Sequence, residues 1–293
     1  MWIADDPHSP AAENVLHITM PLARNAHWLG QLWTNVMRHI ERVSNEFTRQ
    51  AHNFDAWAVK ADDQVAARFS AALGEAGRGR LLDVACGPGV VTAALAPAAA
   101  SIVAFDATEE MLEKARARCA RAGLSNVEFR TGDAEKLPFD DGSFDAVVTR
   151  LAIHHFAAPQ RAIDEMFRVL RTGGVAVIVD VISSEDAVES GLHNAIERLR
   201  DPSHVRMLPA SELAARITRA GFRDVEHAAP WDMNRELEEW LAIVDDPARV
   251  EPVRTVVRAL ARAGCTAGIG LSVNGSQVVF FHRYCLVKAK KIV

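Results

Sequence analysis

Residues 81–91 read LLDVACGPGVV, and the rest of the chain can be interpreted outward from them. The apolar residues at the start predict a buried strand, which contains one aspartate, Asp83. Gly87 and Gly89 then predict a turn whose backbone a ligand can approach closely, because glycine has no side chain. A helix is predicted from Thr92, with unpaired N–H groups at its beginning. Strand, glycine turn and helix in this order are typical of the ligand-binding end of a parallel α/β sheet.

Strand and helix patterns alternate around this stretch. Alternation of this kind predicts a doubly wound parallel sheet with helices on both faces. Strands are predicted over 80–85, 101–105, 127–131, 144–149 and 175–182, and helices over 109–122 and 160–171. The last apolar segment, residues 278–287, predicts a final strand.

The segments outside this alternation predict helical additions. Residues 1–45 form a predicted N-terminal extension, in which apolar residues recur at helical spacing from about Ala26. We interpret the extension as a helical lid over a substrate site or as an arm that joins two chains in a homodimer. The main domain is predicted over residues 46–293, with helical cap insertions over about 183–210 and 231–275.

The composition argues against several functional classes. The net charge of -5 predicts no general attraction to nucleic acid or to an anionic membrane. No apolar run reaches about 18 residues, so no membrane span is predicted. The 4 cysteines lack metal-ligand spacing, and no secretory signal pattern begins the chain. We therefore expect a cytoplasmic protein with reduced thiols.

Three carboxylates narrow the choice of ligand, since a glycine turn alone suits a nicotinamide dinucleotide, a flavin or S-adenosylmethionine. Asp83 would repel a pyrophosphate but suits a cationic ammonium group. Asp106, 17 positions after Gly89 (106 − 89), can accept hydrogen bonds from ribose hydroxyls, including those of a dinucleotide. Asp133 can accept from an adenine amine or serve as a turn residue. The third glycine of the dinucleotide fingerprint is missing, which disfavours a nicotinamide oxidoreductase.

Five motifs of the chain resemble, in order, those of class I S-adenosylmethionine-dependent methyltransferases. They are LLDVACGPG, FDAT, GDAEKLPF, FDAVVTRLAIHHF and RVLRTGG, within about residues 47–182. This set of motifs is most similar to that of the small-molecule group of these enzymes, which includes the ubiquinone/menaquinone C-methyltransferases. The resemblance implies an α/β Rossmann-like fold with a doubly wound seven-stranded sheet whose last strand is antiparallel. It also implies S-adenosyl-L-methionine as the cofactor and a small-molecule substrate.

The resemblance also implies a set of cofactor-binding residues. The turn after the first strand would hold the amino-acid part of the cofactor, the end of the second strand would hold its ribose, and the end of the third strand would meet its adenine. FTRQAHNF, residues 47–54, resembles a helix that closes over the methionine end. The implied residues are Phe54, Asp83, Ala85, Gly87, Gly89, Asp106, Ala107, Met111, Asp133, Ala134 and Arg150.

Histidines are the candidates for catalysis. His154 and His155 follow the fourth predicted strand, where each suits a general base or a hydrogen bond that stabilises the loop. His204 and Arg206 lie in the insertion after the fifth strand and are candidate substrate residues, with ordinary hydrogen bonding as the favoured alternative.

No metal is predicted, because Arg150 stands where metal-dependent catechol methyltransferases carry an aspartate. The function that these features favour is in-line methyl transfer to a carbon, nitrogen or oxygen atom of a small molecule. The alternative is a protein of the same fold that binds the cofactor without methylating, such as a cyclase or a binding module.

Overall fold

A computed structural model of the chain describes residues 39–49 and 64–292. Phe54 and the predicted extension before residue 39 lie outside the described residues. The predicted homodimer arm therefore stays a prediction. Within the described ranges, no helix is both long and apolar enough to cross a membrane.

The described residues contain alternating strands and helices, as predicted. The helices are α1 (39–49), α2 (Val65–Leu73), α3 (Val90–Leu95), α4 (Glu109–Arg121), α5 (Pro159–Val169), α6 (Ala187–Arg200), α7 (Ala210–Arg219), α8 (Leu237–Leu241) and α9 (Pro247–Arg262). The strands are β1 (Arg80–Val84), β2 (Ser101–Asp106), β3 (Val127–Thr131), β4 (Phe144–Arg150), β5 (Leu170–Ile182), β6 (Arg223–His227), β7 (Trp231–Glu236), β8 (Ser272–Asn274) and β9 (Gln277–Lys290).

The main sheet has the order β3-β2-β1-β4-β5-β9-β6. Strands β1 to β5 pair in parallel, and β9 is antiparallel to both β5 and β6. This confirms the Rossmann-like α/β fold with a late antiparallel strand. The chain runs outward from β1 to β3 and then returns to place β4 on the other side of β1. Such a reversal leaves a crevice at the carboxyl ends of the central strands, where ligands bind in this class of sheet.

The cap insertion predicted over 231–275 is only partly helical, which corrects the prediction. Residues 231–236 form β7, and the three residues of the short β8 also pair with β9, which is 14 residues long and extends beyond β6. Trp231 of β7 stacks on Tyr284 of β9, with ring centroids 5.7 Å apart. An aromatic cross-strand pair of this kind stabilises a strand whose own sequence is mostly polar. The helices α8 and α9 then follow where helical segments are expected.

Apolar side chains form cores on both faces of the sheet and a third core beneath the cap. Leu81 and Leu82 belong to different clusters, because successive residues of a strand point to opposite faces. In the third cluster, Trp240 of α8 and Val257 of α9 pack on Phe280 of β9. This core fixes the cap over the carboxyl end of β5, next to the crevice.

Candidate active site

The crevice holds a cavity of about 110 Å³ between the ends of β1 to β4 and helix α1. The structure brings most of the predicted cofactor residues together around it. Those that line the cavity are Asp83, Ala85, Gly87, Asp106, Ala107, Met111, Asp133, Ala134 and Arg150. Gly89 does not line it.

The two glycines of the turn have different roles. Both have left-handed backbones, with φ of 53° at Gly87 and 76° at Gly89. A Cβ added at Gly87 would meet no atom of the described residues within 4 Å, so none of them fills the space beside this part of the turn. A Cβ added at Gly89 would lie 2.7 Å from the Cβ of Ala115 on α4. Gly89 therefore allows the turn to pack on a helix, rather than lining the cavity as predicted.

Ala85, which directly follows β1, also has a left-handed backbone with φ of 55°. This conformation is uncommon for a residue with a side chain and is found in strained functional segments. It turns the chain into the glycine loop within the lining of the cavity.

Asp106 holds the glycine turn in place. Its Oδ2 accepts a hydrogen bond of 2.8 Å from the backbone N–H of Gly87, and its Oδ1 accepts one of 2.9 Å from the N–H of Thr108. Burial raises the pKa of Asp106, and these backbone N–H groups act in the opposite direction. Because β1 and β2 are neighbours, one carboxylate connects both strand ends at the point where the sequence predicts ribose binding.

Asp83 is almost fully buried, with 1% of its surface exposed. The hydroxyl of Thr92, in the first turn of α3, donates a 2.6 Å hydrogen bond to its Oδ2. Burial raises the pKa of Asp83 from 3.8 to about 7, against the effect of the Thr92 hydroxyl, and the nearby Asp106 raises it further. The carboxyl group is therefore poised between its two protonation states at neutral pH, and a cationic ligand group would favour the ionised state.

The end of β3 completes the floor of the cavity. Asp133 lines the cavity. Its Oδ1 also accepts a 2.8 Å hydrogen bond from the N–H of Glu135, which is the contact expected of a turn residue. Gly132, which the sequence analysis missed, also belongs to the lining. A Cβ at Gly132 would lie 2.6 Å from the ring of Phe105, so only glycine lets β3 end this close to β2.

Helix α1 covers the cavity with four side chains: His39, Ile40, Val43 and Phe47. His39 Nε2 donates a 2.7 Å hydrogen bond to the carbonyl of His155, which attaches the helix to the end of β4. The ring of Phe47 lies 5.0 Å from the ring of His155. The predicted boundary between residues 45 and 46 falls inside α1, so the covering helix crosses it.

A second, smaller cavity of about 50 Å³ adjoins the first. Three residues line both cavities: Phe47, Leu151 and His155. Leu151 has a left-handed backbone, with φ of 55°. The other residues that line the second cavity are His154, Val181, Glu197, Arg200, Asp201, His204, Met207, Trp240, Ile243, His282 and Tyr284.

The contacts of His154 connect the segment after β4 to β5 and to the loop that contains Val205 and Arg206. Its Nδ1 is 2.5 Å from Asp180 Oδ1, and its carbonyl accepts the N–H groups of Val205 and Arg206 at 2.9 and 3.1 Å. Burial lowers the pKa of His154, but the Asp180 carboxylate, together with Glu197 and Asp201, outweighs burial and leaves this pKa above its ordinary value. These contacts agree with the loop-stabilising interpretation of His154.

His155 has a different environment, because its Nδ1 is 3.1 Å from the hydroxyl of Ser203. The Ser203 hydroxyl donates its single hydrogen to Asp201 Oδ1, at 2.5 Å, so its oxygen accepts from His155 Nδ1–H. This arrangement leaves Nε2 of His155 with a free lone pair in the neutral ring. Burial and the neighbouring His154 lower the pKa of His155 to about 4, so the neutral form predominates at pH 7. The sequence analysis identified neither Ser203 nor Asp201.

The two predicted substrate residues lie in different places. His204 lines the second cavity, and its Nε2 donates a 2.8 Å hydrogen bond to Asn194 Oδ1. Burial lowers the pKa of His204 to about 3, which keeps it neutral. Arg206 lines neither cavity, which corrects the prediction. Its guanidinium is exposed and pairs at 2.7 Å with Glu212.

Comparison with known proteins identifies similar chains. A family model described as a methyltransferase domain matches residues 82–178. The Bacillus subtilis protein named uncharacterized methyltransferase YcgJ is 34% identical over 216 residues, which cover 72% of this chain and 84% of that protein. A ubiquinone/menaquinone biosynthesis C-methyltransferase of Geobacter sp. is 32% identical over 176 residues, or 53% and 75% of the two chains. The crystal structure of YcgJ superposes with a TM-score of 0.71 at 30% identity, over 77% of this chain and 97% of that chain.

Proposed function

The chain belongs to the S-adenosyl-L-methionine-dependent methyltransferases, and we propose that it methylates a small molecule bound in the second cavity. The observation that carries this proposal is the wall that the two cavities share. One cavity has the features of a nucleoside site and the other adjoins it; among the described residues, Phe47, Leu151 and His155 line both. Direct in-line transfer would require the sulfonium methyl group and the acceptor atom to meet where the two cavities adjoin, beside these three residues.

The residues of the first cavity fit the cofactor. Asp83 offers a buried carboxylate to its ammonium group, Asp106 offers one to its ribose hydroxyls, and Asp133 offers one to its adenine amine. Gly87 leaves open space where a side chain would otherwise stand. When bound, S-adenosyl-L-methionine supplies a methyl group that its sulfonium already activates. We propose that the predicted residues that line this first cavity contact the cofactor.

The task of the protein is therefore to position the acceptor and exclude water. Helix α1 covers the cofactor side through Phe47, and the cap covers the acceptor side through Trp240 of α8 and Ile243 in the turn that follows it. The proposed transfer is a direct in-line displacement. No metal is proposed at the end of β4, because Arg150 stands where metal-dependent catechol methyltransferases carry a ligating aspartate.

His155 is the proposed general base. His155 lines both cavities, and the Nε2 lone pair of its neutral ring can accept a proton from a phenol, an ammonium group or a carbon acid. Ser203 and Asp201 hold the ring in the tautomer that leaves Nε2 free. The Asp201 carboxylate, acting through the Ser203 hydroxyl, offsets part of the effect of burial on the imidazolium that forms, as a carboxylate stabilises the histidine of a hydrolase triad.

Mass spectrometry of treated metabolites tests the proposal. A metabolite extract is incubated with the full chain and methyl-labelled S-adenosyl-L-methionine, and products that gain the labelled methyl mass are sought. His155→Gln is run beside His227→Gln, whose exposed histidine lies on β6. We expect a labelled small molecule that forms with the wild type and the His227 variant and that falls strongly with the His155 variant. Product formation without transfer of the label would favour the non-methylating alternative instead.

A further inference from the structure

Three buried side chains of metal-ligand type meet at one end of the second cavity. His193 and Glu197 lie four residues apart on one face of α6, and His282 comes from the opposing strand β9. One nitrogen or oxygen atom from each residue lies within 4.8 Å of the other two. The exposed fractions of the three residues are 1%, 1% and 5%.

His193 has no hydrogen bond that explains its burial. Within the described part of the chain, neither of its ring nitrogens has a hydrogen-bond partner. Buried polar groups are normally paired, because leaving one unpaired destabilises the fold. The Nε2 atom of His193 is 3.8 Å from Glu197 Oε1. That gap is too long for a hydrogen bond but suits two ligands of one ion, since zinc lies about 2.0–2.2 Å from nitrogen and oxygen donors.

We propose that His193, Glu197 and His282 bind one divalent transition-metal ion of the zinc class. Two imidazoles and one carboxylate form a donor set that zinc accepts, and an i,i+4 pair on a helix is a common way to present two of the donors. Three protein ligands leave a fourth position open. Because Glu197 and His282 line the second cavity, the open position faces the acceptor side of the molecule.

Charge around the cluster indicates which group would fill that position. Arg200 lies 3.0 Å from Oε2 of Glu197, which leaves Oε1 directed to the cluster, where it is 2.9 Å from His282 Nε2. One carboxylate does not neutralise both a divalent ion and a guanidinium. The surplus positive charge favours an anionic donor, such as a carboxylate, phenolate or thiolate. That the methyl acceptor carries this donor rests on the proposed function, whereas metal binding itself does not.

Metal titration tests the proposal without an activity assay. The full chain, freed of any purification tag and dialysed against a chelator, is titrated with Co²⁺ and then with Zn²⁺, and the visible absorption of bound Co²⁺ is followed. We expect about one equivalent of Co²⁺, displaced by Zn²⁺. Removing a ligand should weaken binding at least tenfold in Glu197→Gln and His193→Gln, while the exposed-histidine control His227→Gln should bind as the wild type does.

Two further measurements distinguish the loss of a metal ligand from the loss of folding. Circular dichroism and thermal midpoints show whether each variant is folded. If the cluster variants do not fold, X-ray absorption at the zinc edge of the loaded wild type decides, because the proposal requires two imidazole ligands and no sulfur ligand. No bound ion in the wild type, a sulfur ligand, or equal binding by folded cluster variants would overturn the site. The chain could bind zinc as proposed and yet transfer no methyl group. That result would overturn the proposed function but not the proposed metal site.

Discussion

Replacing Asp83 by asparagine should stabilise the cofactor-free protein while weakening cofactor binding. Asparagine has nearly the same shape and keeps an oxygen that can accept from the Thr92 hydroxyl, 2.6 Å away in the native side chain. The substitution removes only the buried charge. In the native protein that charge is unfavourable, because burial raises the pKa of Asp83 from 3.8 to about 7.

The size and sign of the effect follow from this pKa. Below pH 3.8 the carboxyl group is protonated in both the folded and the unfolded chain, so it has no effect. Between pH 3.8 and about 7 only the unfolded chain ionises, so the stability of the wild type falls as pH rises. Three pKa units at about 1.4 kcal/mol each give a penalty of roughly 4 kcal/mol above pH 7. Asp83→Asn removes this penalty.

Urea denaturation at pH 5, 6, 7 and 8 measures the difference, and calorimetry with S-adenosylhomocysteine at pH 8 measures binding. We expect the variant to gain stability relative to the wild type as pH rises, by about 2–4 kcal/mol at pH 8. Binding should weaken by roughly 10- to 100-fold, from the loss of a hydrogen bond to a charged group. Asp140→Asn, which changes an exposed carboxylate outside the cavity, is the matched control. A variant with no pH-dependent gain, or with native affinity, would refute the account of Asp83.

His155→Gln should lower kcat about 100-fold with little change in the KM for the cofactor, as expected for loss of a general base. In the wild type the acid limb of the kcat profile should lie near pH 4, since the base must be neutral and its pKa is lowered to about 4; a limb near pH 6.5 would contradict the proposed environment. Gly89→Ala should destabilise the fold by about 1–3 kcal/mol in thermal unfolding, because the new methyl group would lie 2.7 Å from Ala115; a variant as stable as the wild type would be inconsistent with close packing there. Arg206→Ala should leave turnover within about twofold of the wild type in the labelled-methyl assay, because Arg206 lines neither cavity and a surface ion pair contributes little to stability. A large loss of turnover would show that Arg206 does act on the substrate.

The sequence predicts those parts of the molecule that depend on short stretches of chain. A buried strand, a glycine turn and a helix are local patterns, and parallel pairing then brings successive strand ends to one edge of the sheet. Asp83 and Asp106 are therefore predicted to lie at one edge, although they are far apart in sequence. What the pattern does not reveal is that Asp106 is hydrogen-bonded to the backbone of Gly87, because such a bond depends on the register between β1 and β2.

The parts that sequence reasoning missed depend on contacts between distant segments. Ser203 is 48 residues from His155, and its effect on the imidazole appears only when the cap packs on the end of β4. Arg206 is basic and lies in the right insertion, but Glu212, six residues further on, holds it at the surface. Strand β7 pairs with an edge of β9 that lies 43 to 53 residues later in the chain (279 − 236 and 284 − 231), although four of its six residues are polar.

The most direct measurement is a crystal structure of the full chain with S-adenosylhomocysteine. The account predicts that its amino-acid end lies beside Asp83 and Gly87, that its ribose hydroxyls meet Asp106, and that its sulfur faces the wall formed by Phe47, Leu151 and His155. If the nucleoside were bound elsewhere, or its sulfur pointed away from the second cavity, the shared wall would not be the place of methyl transfer.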